Sequence, residues 1–495
     1  MELTLHLSNE DATKRFGEDL ALTLKKGDLI ILEGDLGMGK STLARSIIQT
    51  LADDDRLDVP SPTFTLVQTY NELRLPVAHA DLYRIGSPEE IYELGLEQAL
   101  DNGVLIVEWP DKAEGLLPRP TFSLKIFEEN DGRSVIISVD EEASLRLRRT
   151  AVIRDFLIRY NRDDAKRHFL AGDASARAYE LITYGDNKCE VLMDAPQMEM
   201  AETAGASYAK AAHLAQSIDQ FVGIDRIIRE NNFNAPEIYA GDLDSGLLLL
   251  EYLGQDGIID ERRLPIIERY LAAAAFLADF HEVDWPKHAV WDDLSIEIPN
   301  YDRDALHIET NLLLDWYLPF ISQIEPIDQM REYYYQIWDV LFDELEIAPK
   351  SLVMRDYHSP NILWFSEREG NDRIGLIDFQ DAQMGPTAYD VVSLAQDARI
   401  TIATPTEEAL IRHYCAKRAV LDKQFNEKQF RQSYAILGAQ RACKLLGLFI
   451  RLDKRDGKPH YLKHLPRMTD YLLRNLKHPA LSPLKDFLRM VNIIR

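Results

Sequence analysis

Two residue patterns in this chain can handle phosphate, and the more C-terminal one lies in LVMRDYHSPNILWF. In kinase-type phosphoryl transfer, an aspartate accepts the proton of the acceptor hydroxyl, and an asparagine in the same loop binds Mg²⁺. Asp356 and Asn361 have the required D-x4-N spacing, and Asp378 follows the short apolar run of RIGLIDFQDA, where a kinase has its second metal-binding aspartate. Asp356 could instead begin a turn, and Asp378 could cap a helix. The combination favours a catalytic base at Asp356 and metal ligands at Asn361 and Asp378.

The second pattern, GDLGMGKS, lies near the N-terminus and satisfies the phosphate-loop motif G-x-x-x-x-G-K-[ST]. Its glycines allow backbone N–H groups to surround phosphates, and the following helix N-terminus adds partial positive charge. Lys40 should contact the β- and γ-phosphates, and Ser41 should hold Mg²⁺. The alternative is a glycine-rich turn with an accidental lysine, but the preceding strand DLIIL and the following helix KSTLARSIIQTL favour ATP binding. The nucleotide-binding candidates in this loop are Gly34, Gly37, Gly39, Lys40, Ser41 and Thr42.

A phosphate-loop ATPase also needs an acid for its metal and a group that senses the γ-phosphate. Asp81 in VAHADLYR and Glu108 in VLIVEWP stand at the ends of predicted strands, and Thr63 in SPTFTLVQTY lies on a predicted loop. Each carboxylate could be an ordinary surface group, and Thr63 could be a plain turn hydroxyl.

The fragments GDLGMGKST, SPTFTLVQTY, HADLYRI and VLIVEWPDKAEGLLP, in this order and spacing, resemble the TsaE family over nearly all of residues 1–140. That family is the ATPase subunit of the bacterial complex that makes threonylcarbamoyladenosine in tRNA. The resemblance implies that Asp81 serves the metal, that Thr63 belongs to a switch-like loop, and that Glu108 and Trp109 form the functional EW pair. It also implies binding to TsaB- and TsaD-type subunits, with only an indirect relation to tRNA. A free-standing nucleotide kinase is the rival, but about 140 residues leave little room for its lid and base pocket.

Between these patterns, LAGDASARAYELI resembles a hairpin that covers phosphates, with Gly172, Ser175 and Arg177 at its tip. In CEVLMDAP, Met193 stands where many kinases have an ATP-binding lysine, and Lys188 lies only at the start of the strand. The contact to the α- and β-phosphates is therefore unresolved, with Arg177 as the candidate.

Three further polar side chains and one strand complete the kinase-like set. LLLLEYLG resembles a hinge strand whose backbone meets adenine near Glu251 and Leu253. His281 is expected to be a packed helix residue, and Asp390 is expected to secure the segment after the metal loop. His358, beside the base, either touches substrate or serves the turn.

The segments GDASARAYE, VLMDAP, VMRDYHSPNILW, IDFQDAQMGPTAYDVVSL and AQRACKLLGLFIRL resemble the AmgK group of the aminoglycoside phosphotransferase family over residues 150–490. Members of that group phosphorylate the anomeric hydroxyl of N-acetylmuramate and N-acetylglucosamine in cell-wall recycling, and they share the missing lysine. The resemblance implies an amino-sugar kinase. A choline-type or aminoglycoside-type acceptor, or a regulatory pseudokinase, remains open.

The elements that must position these residues indicate several domains. A length of 495 residues predicts two or three domains, and 46% hydrophobic with 28% charged residues is a globular composition. We predict an α/β phosphate-loop domain over 1–142, then an α+β bilobal kinase-like domain with a small mixed lobe over 150–253 and a large, mainly helical lobe over 254–495. Each domain is expected to bind its own Mg²⁺ and ATP.

Local patterns support this plan. LTLHL, GDLIILEG, GVLIVEW, TFSLKIF and SVIISV predict strands, a helix should begin at Lys40, and Ser87, Pro88 and Glu90 form a capping box. NILWF and IGLIDF predict a hairpin between the two metal ligands.

Net charge, cysteine pattern and hydropathy restrict the partners and the cellular compartment that the sequence predicts. A formal charge of −26 argues against a broad basic surface for nucleic acid. Three scattered cysteines, no signal peptide and no bilayer-length apolar run predict a cytoplasmic protein without membrane contact.

Overall fold

The computed structural model describes residues 2–129, 132–172, 177–185, 188–197, 204–291 and 294–494. The chain divides into two compact units. Unit 1 comprises Met1–Ala195 and Tyr239–Tyr252, and unit 2 comprises Pro196–Ile238 and Leu253–Arg495. These compact units need not coincide with the evolutionary domains, so the boundaries 1–142, 150–253 and 254–495 stay predictions.

The described strands are β1 (Glu2–Leu7), β2 (Leu29–Glu33), β3 (Val67–Tyr70), β4 (Val77–Asp81), β5 (Val104–Glu108), β6 (Phe122–Glu129), β7 (Gly132–Val139), β8 (Lys166–Gly172), β9 (Ala178–Tyr184), β10 (Lys188–Asp194), β11 (Ile238–Asp242), β12 (Leu247–Glu251), β13 (His288–Trp291), β14 (Leu294–Glu297), β15 (Lys350–Val353), β16 (Ile362–Trp364), β17 (Ile374–Leu376) and β18 (Gln383–Pro386). The described α-helices are α1 (Glu10–Thr23), α2 (Lys40–Ala52), α3 (Leu96–Asn102), α4 (Glu141–Arg159), α5 (Ala204–Ala211), α6 (Ile218–Glu230), α7 (Ile267–Phe280), α8 (Arg303–Leu312), α9 (Leu318–Ser322), α10 (Asp328–Glu346), α11 (Ala388–Ala395), α12 (Thr404–Leu421), α13 (Glu427–Lys454), α14 (Leu465–Asn475) and α15 (Ser482–Met490).

The first sheet of unit 1 has the strand order β1-β7-β6-β2-β5-β4-β3 within the described residues. Strands β6, β2, β5 and β4 run parallel, so both faces of the central strands must be covered. Ile30 and Ile106 point into the core formed with α1 and α2, whereas Leu29 and Leu105 point into the core on the side of α3. This alternation confirms the α/β prediction. Because β2, β4 and β5 run parallel, their carboxyl ends lie at one edge of the sheet.

The helix start at Lys40 and the capping box occur where the sequence predicts them, with one difference in the helix that follows. Helix α2 begins at Lys40, and the capping box at Ser87 and Glu90 is present. The box, however, starts a 3₁₀ helix over Pro88–Glu93, and α3 begins only after Gly95, whose φ of 65° breaks the continuous helical pattern.

The kinase-like part combines a small sheet with a helical unit. In unit 1, β8, β9, β10 and β12 pair as an antiparallel sheet, in which Met193 is buried opposite Tyr179 and Leu248. In unit 2, the long α13 packs against α8, α11 and α14, and β16 pairs with β17 as the predicted hairpin. Among the described residues, no helix has both the length and the apolar character needed to cross a bilayer.

Unit 1 joins its two sheets through a buried network of charged residues. Arg154 on α4 donates to Glu18 and Asp19 on α1, with N–O distances of 2.8 to 3.2 Å. Arg167 on β8, whose side chain is 1% exposed, donates to Asp19 at 2.6 Å and to Glu180 on β9 at 2.7 and 2.8 Å. Burial lowers the pKa of Arg167, but the two carboxylates outweigh it and raise that pKa above its usual value.

We expect Arg167→Met to destabilise unit 1 by about 3–5 kcal/mol, because it leaves Asp19 and Glu180 without their buried cation. The matched control is Lys25→Met, which removes the exposed ion pair between Lys25 and Glu142 and should cost at most about 1 kcal/mol. Differential scanning calorimetry of the full chain measures both changes. Equal transition temperatures in the two variants would contradict the importance of the buried network.

Candidate active sites

The phosphate loop of unit 1 is shaped by glycines in the left-handed region. Gly34, Gly37 and Gly39 have φ values of 142°, 83° and 99°. A Cβ on Gly34 would lie 2.4 Å from the carbonyl oxygen of Ile126, so no larger residue fits there. Gly39 is the N-cap of α2, which starts with Lys40, Ser41 and Thr42. The helix N-terminus and the glycines with positive φ match a loop that surrounds a triphosphate.

Lys40 already lies inside this loop. Its Nζ donates to the carbonyl oxygens of Gly34 at 2.7 Å and Asp35 at 2.9 Å. Burial lowers the pKa of Lys40, although Glu108 and Asp81 oppose the shift. The indole of Trp109 lies 3.9 Å from Nζ and 5.0 Å from the ring of Tyr83. Lys40 is thus held by an aromatic face and by two carbonyl groups, and a phosphate group can replace the carbonyl groups.

Glu108 is the acid that contacts the loop directly. Ser41 Oγ donates to one of its oxygens at 3.0 Å, and Nε2 of His79 lies 2.9 Å from the other. Both Glu108 and His79 are buried. Sequence reasoning missed His79, although it stands two residues before Asp81 on the same strand, and alternation places both on one face.

Asp81 forms a separate cluster beside Glu108, with which it is in register across β4 and β5. It accepts hydrogen bonds from Thr63 Oγ1 at 2.7 Å, Ser61 Oγ at 3.2 Å and the backbone N–H of Tyr83 at 3.0 Å. The predicted switch threonine and the predicted metal acid therefore contact each other. Ser41, however, contacts Glu108 rather than Asp81.

We expect His79→Leu to reduce ATP hydrolysis by about 10- to 100-fold, because Glu108 loses the partner that orients it. The affinity for ATP should change little, since His79 does not touch the phosphate loop. His79→Gln is the control, because its amide keeps an N–H donor and should retain more activity. Steady-state hydrolysis and nucleotide titration measure these effects, and unchanged turnover in His79→Leu would contradict the assignment.

Unit 2 brings together the three residues of the D-x4-N and DF patterns. Asn361 Nδ2 donates to the backbone oxygen of Asp356 at 3.0 Å and to Asp378 Oδ2 at 3.3 Å. Gln380 Nε2 donates to the other oxygen of Asp378 at 2.8 Å. The side chain of Asp356 is 47% exposed, so an acceptor hydroxyl can reach it.

The loop that carries Asp356 is held in place by the buried carboxylate of Asp390. Its carboxylate accepts the backbone N–H groups of Met354 at 2.7 Å and Arg355 at 2.9 Å, and Ser393 Oγ donates to the carbonyl oxygen of Arg355 at 2.8 Å. Asp390 lies in the segment after the loop that carries Asp378, and its hydrogen bonds join this segment to the strand end that precedes Asp356.

The two histidines of this region have structural roles. His281 is buried at the end of α7, with Nδ1 2.9 Å from Tyr414 Oη, as expected for a packed residue. His358 Nδ1 donates to the backbone oxygen of Asp356 at 2.8 Å. This hydrogen bond favours the turn role over substrate contact.

Glu309 on α8 is a fully buried anion that binds the cations near Asp356. It accepts hydrogen bonds from Arg355, from Lys444 Nζ at 2.8 Å, from Tyr301 Oη at 2.5 Å and from Gln440 Nε2 at 2.9 Å. Burial alone would raise its pKa, but Lys444 and Arg355 lower that pKa to about 2.

Asp356, the predicted base, stays ionised for a related reason. Partial burial raises the pKa of Asp356, but His358, Lys444, Arg441 and Arg355 together hold that pKa below its usual value. Asp356 is therefore a carboxylate at neutral pH, as a proton acceptor must be.

The residues predicted to meet the nucleotide in the small sheet are only partly described. Ser175 lies outside the described residues, and Arg177 directly precedes β9. Lys188 begins β10, as expected. Glu251 is the last residue of β12, and Leu253 follows two positions later. Their contacts with ATP stay predictions.

The oxygen ligands at both sites suit Mg²⁺. Among the described residues, no group of three or more His, Cys, Asp or Glu side chains could hold a metal ion without help. Mg²⁺ usually binds through one or two carboxylates together with substrate phosphates. Asn361 with Asp378, and Ser41 with its neighbouring acids, fit that mode.

Comparison with known proteins gives a match for each half. Residues 7–135 match the family model of the threonylcarbamoyl adenosine biosynthesis protein TsaE, and residues 166–423 match that of the phosphotransferase enzyme family. An N-acetylmuramate/N-acetylglucosamine kinase of Caulobacter vibrioides is 32% identical over 354 residues, which cover 69% of this chain and 96% of that protein. A TsaE protein of Rickettsia felis is 41% identical over 143 residues, which cover 28% of this chain and 83% of that protein. A crystal structure of Bacillus subtilus YdiB is similar at 28% identity, with a TM-score of 0.27 and coverage of 31% of this chain and 96% of that one.

Proposed function

The chain belongs to the TsaE family through its N-terminal part and to the phosphotransferase enzyme family through its C-terminal part, and we propose that it is a bifunctional protein with one ATP site in each. The N-terminal half hydrolyses ATP in support of threonylcarbamoyladenosine formation at position 37 of tRNA. The C-terminal half transfers the γ-phosphoryl group of ATP to the anomeric hydroxyl of N-acetylmuramate or N-acetylglucosamine. The observation that carries the kinase assignment is the joint position of Asp356, Asn361 and Asp378.

In the ATPase half, we propose that Lys40 exchanges its two carbonyl contacts for the β- and γ-phosphates. Ser41 and Asp81 hold Mg²⁺, which neutralises phosphate charge when bound. Glu108 acts as the catalytic acid–base group, and Thr63 reports the γ-phosphate to Asp81 through their hydrogen bond. Trp109 closes the site over the lysine.

The partners of this half are TsaB- and TsaD-type subunits. The chain's formal charge of −26 supports a protein partner rather than direct binding of tRNA. Hydrolysis resets the partner complex, so tRNA meets this protein only indirectly.

In the kinase half, Asp356 orients the sugar hydroxyl and accepts its proton as the new O–P bond forms. Asn361 and Asp378 would hold Mg²⁺, which would neutralise phosphate charge, and the backbone near Glu251 and Leu253 would bind adenine. Ser175 and Arg177 contact phosphate. A pseudokinase role is disfavoured by the complete set of base and metal ligands, and an amino-sugar acceptor is supported by N-acetylmuramate/N-acetylglucosamine kinases that are 32% and 27% identical to this chain.

We expect two point variants of the full chain to separate the activities. Asp356→Asn should lower sugar phosphorylation by about 10²- to 10⁴-fold, because a neutral amide cannot accept the proton. ATP hydrolysis in the absence of sugar should persist. Lys40→Ala should abolish that hydrolysis and leave sugar phosphorylation intact.

Phosphosugar formation from N-acetylmuramate and N-acetylglucosamine, and phosphate release without sugar, provide the two readouts. Choline and an aminoglycoside serve as control acceptors. Loss of both activities in either variant would contradict two independent sites, and phosphorylation of choline alone would contradict the assigned acceptor.

A further inference from the structure

Arg441 on α13 is a buried cation beside the base without a hydrogen-bonding partner among the described residues. Its side chain is 4% exposed, and its nearest carboxylate oxygen is Asp356 Oδ1, 3.7 Å from Nη2. That separation is an ion-pair distance but too long for a hydrogen bond. A guanidinium offers five N–H donors, and no hydrogen bond from those of Arg441 to a described residue is present. Arg441 therefore has binding capacity for a group that reaches the base.

Two other side chains on α13, Lys444 and Arg451, are also cations. Lys444, one turn further along, is already bound to Glu309. Arg451 lies 4.5 Å over the ring of Tyr208, and its Nε is buried without a hydrogen-bonding partner among the described residues. Positions 441, 444 and 451 fall on one face of a helix. Because Glu309 compensates the charge of Lys444, Arg441 remains as a cation beside Asp356 that can attract an anion.

The two proposed acceptors differ in charge at one place. N-acetylmuramate carries a lactyl ether with a carboxylate on C3 of the ring, whereas N-acetylglucosamine has a neutral hydroxyl there. The ring carbon C3 is close to C1, whose hydroxyl must contact Asp356. The planar guanidinium matches a carboxylate through two parallel hydrogen bonds, which a lysine cannot reproduce.

We propose that Arg441 binds the lactyl carboxylate of N-acetylmuramate and so determines the preference of the kinase for the acidic over the neutral amino sugar. The inference rests on the proposed kinase function. Arg441 touches the substrate but takes no proton, since Asp356 remains the base.

The test compares both sugars in the same variants of the full chain. Arg441→Gln should lower kcat/KM for N-acetylmuramate by about 10- to 100-fold, the range for a lost hydrogen bond to a charged group, with KM carrying most of the change. The loss with N-acetylglucosamine should be clearly smaller, because that sugar loses only the ion pair between Arg441 and Asp356. Arg441→Lys keeps the charge without the planar fork, so it should shift the ratio in the same direction by less.

A matched control lies on the same helix. Arg431 forms half-exposed ion pairs with Glu408 and Glu427, so Arg431→Gln should leave the ratio of the two sugars unchanged. Thermal melting of each variant checks the fold. If Arg441→Gln does not fold, Arg441→Lys supplies the same comparison.

Equal losses with both sugars would overturn the proposal, because Arg441 would then act on the base or on the transferred phosphoryl group. No loss with either sugar would also overturn it. Calorimetric titration of each sugar separates this inference from the kinase assignment. Weaker binding of N-acetylmuramate alone in Arg441→Gln supports the carboxylate contact even if the parent protein transfers no phosphate, and absence of N-acetylmuramate binding to the parent protein overturns it.

Discussion

The position of Asp356, the proposed base, depends on how both the backbone and the side chain of the preceding residue, Arg355, are held. Arg355 has a φ of 67°, a left-handed conformation that costs a non-glycine residue about 1–3 kcal/mol. It is retained because Asp390 and Ser393 hold its backbone, while Glu309 binds its guanidinium in the core. The strain turns the chain so that the next side chain, Asp356, points out of the core. Two buried carboxylates that are distant in sequence, Glu309 and Asp390, thereby determine where Asp356 lies.

The ATPase site uses a related arrangement with different residues. Trp109 has a φ of 61° directly after Glu108, so the strand turns sharply at its carboxyl end. The turn places the acid against Ser41 and the indole over Lys40. In both sites, an acid stands next to a residue in a strained conformation, and hydrogen bonds from distant segments maintain the strain. Each acid is therefore preorganised by the fold before any substrate is bound.

The parts of the structure that local signals encode were accessible from the sequence. Glycine spacing, strand patterns and the D-x4-N spacing predicted α2 at Lys40, the central strands and the β16–β17 hairpin. His79, Glu309 and Arg441 were missed because their importance comes from partners that are close in space but distant in sequence. The same reason explains why the partners of Asp390, which lie 35 and 36 residues earlier, were not predicted. The helix predicted after Ser87 was divided because a single glycine adopted a left-handed conformation.

The charged contacts between the two sheets of unit 1 differ in strength, and this difference identifies the link between the halves. Asp53 and Asp55, at the end of α2, pair with His168 and Lys166 on β8, but these carboxylates are about two-thirds exposed, and such pairs contribute about 0–1 kcal/mol. The buried contacts of Arg154 and Arg167 with Asp19 are much harder to break, since removing one partner costs about 3–5 kcal/mol. The rigid connection therefore runs through α1 and α4 rather than through α2. A kinase fragment that begins at residue 150 would keep both arginines and lose Glu18 and Asp19, so the ATPase domain is part of the structural support of the kinase's small sheet.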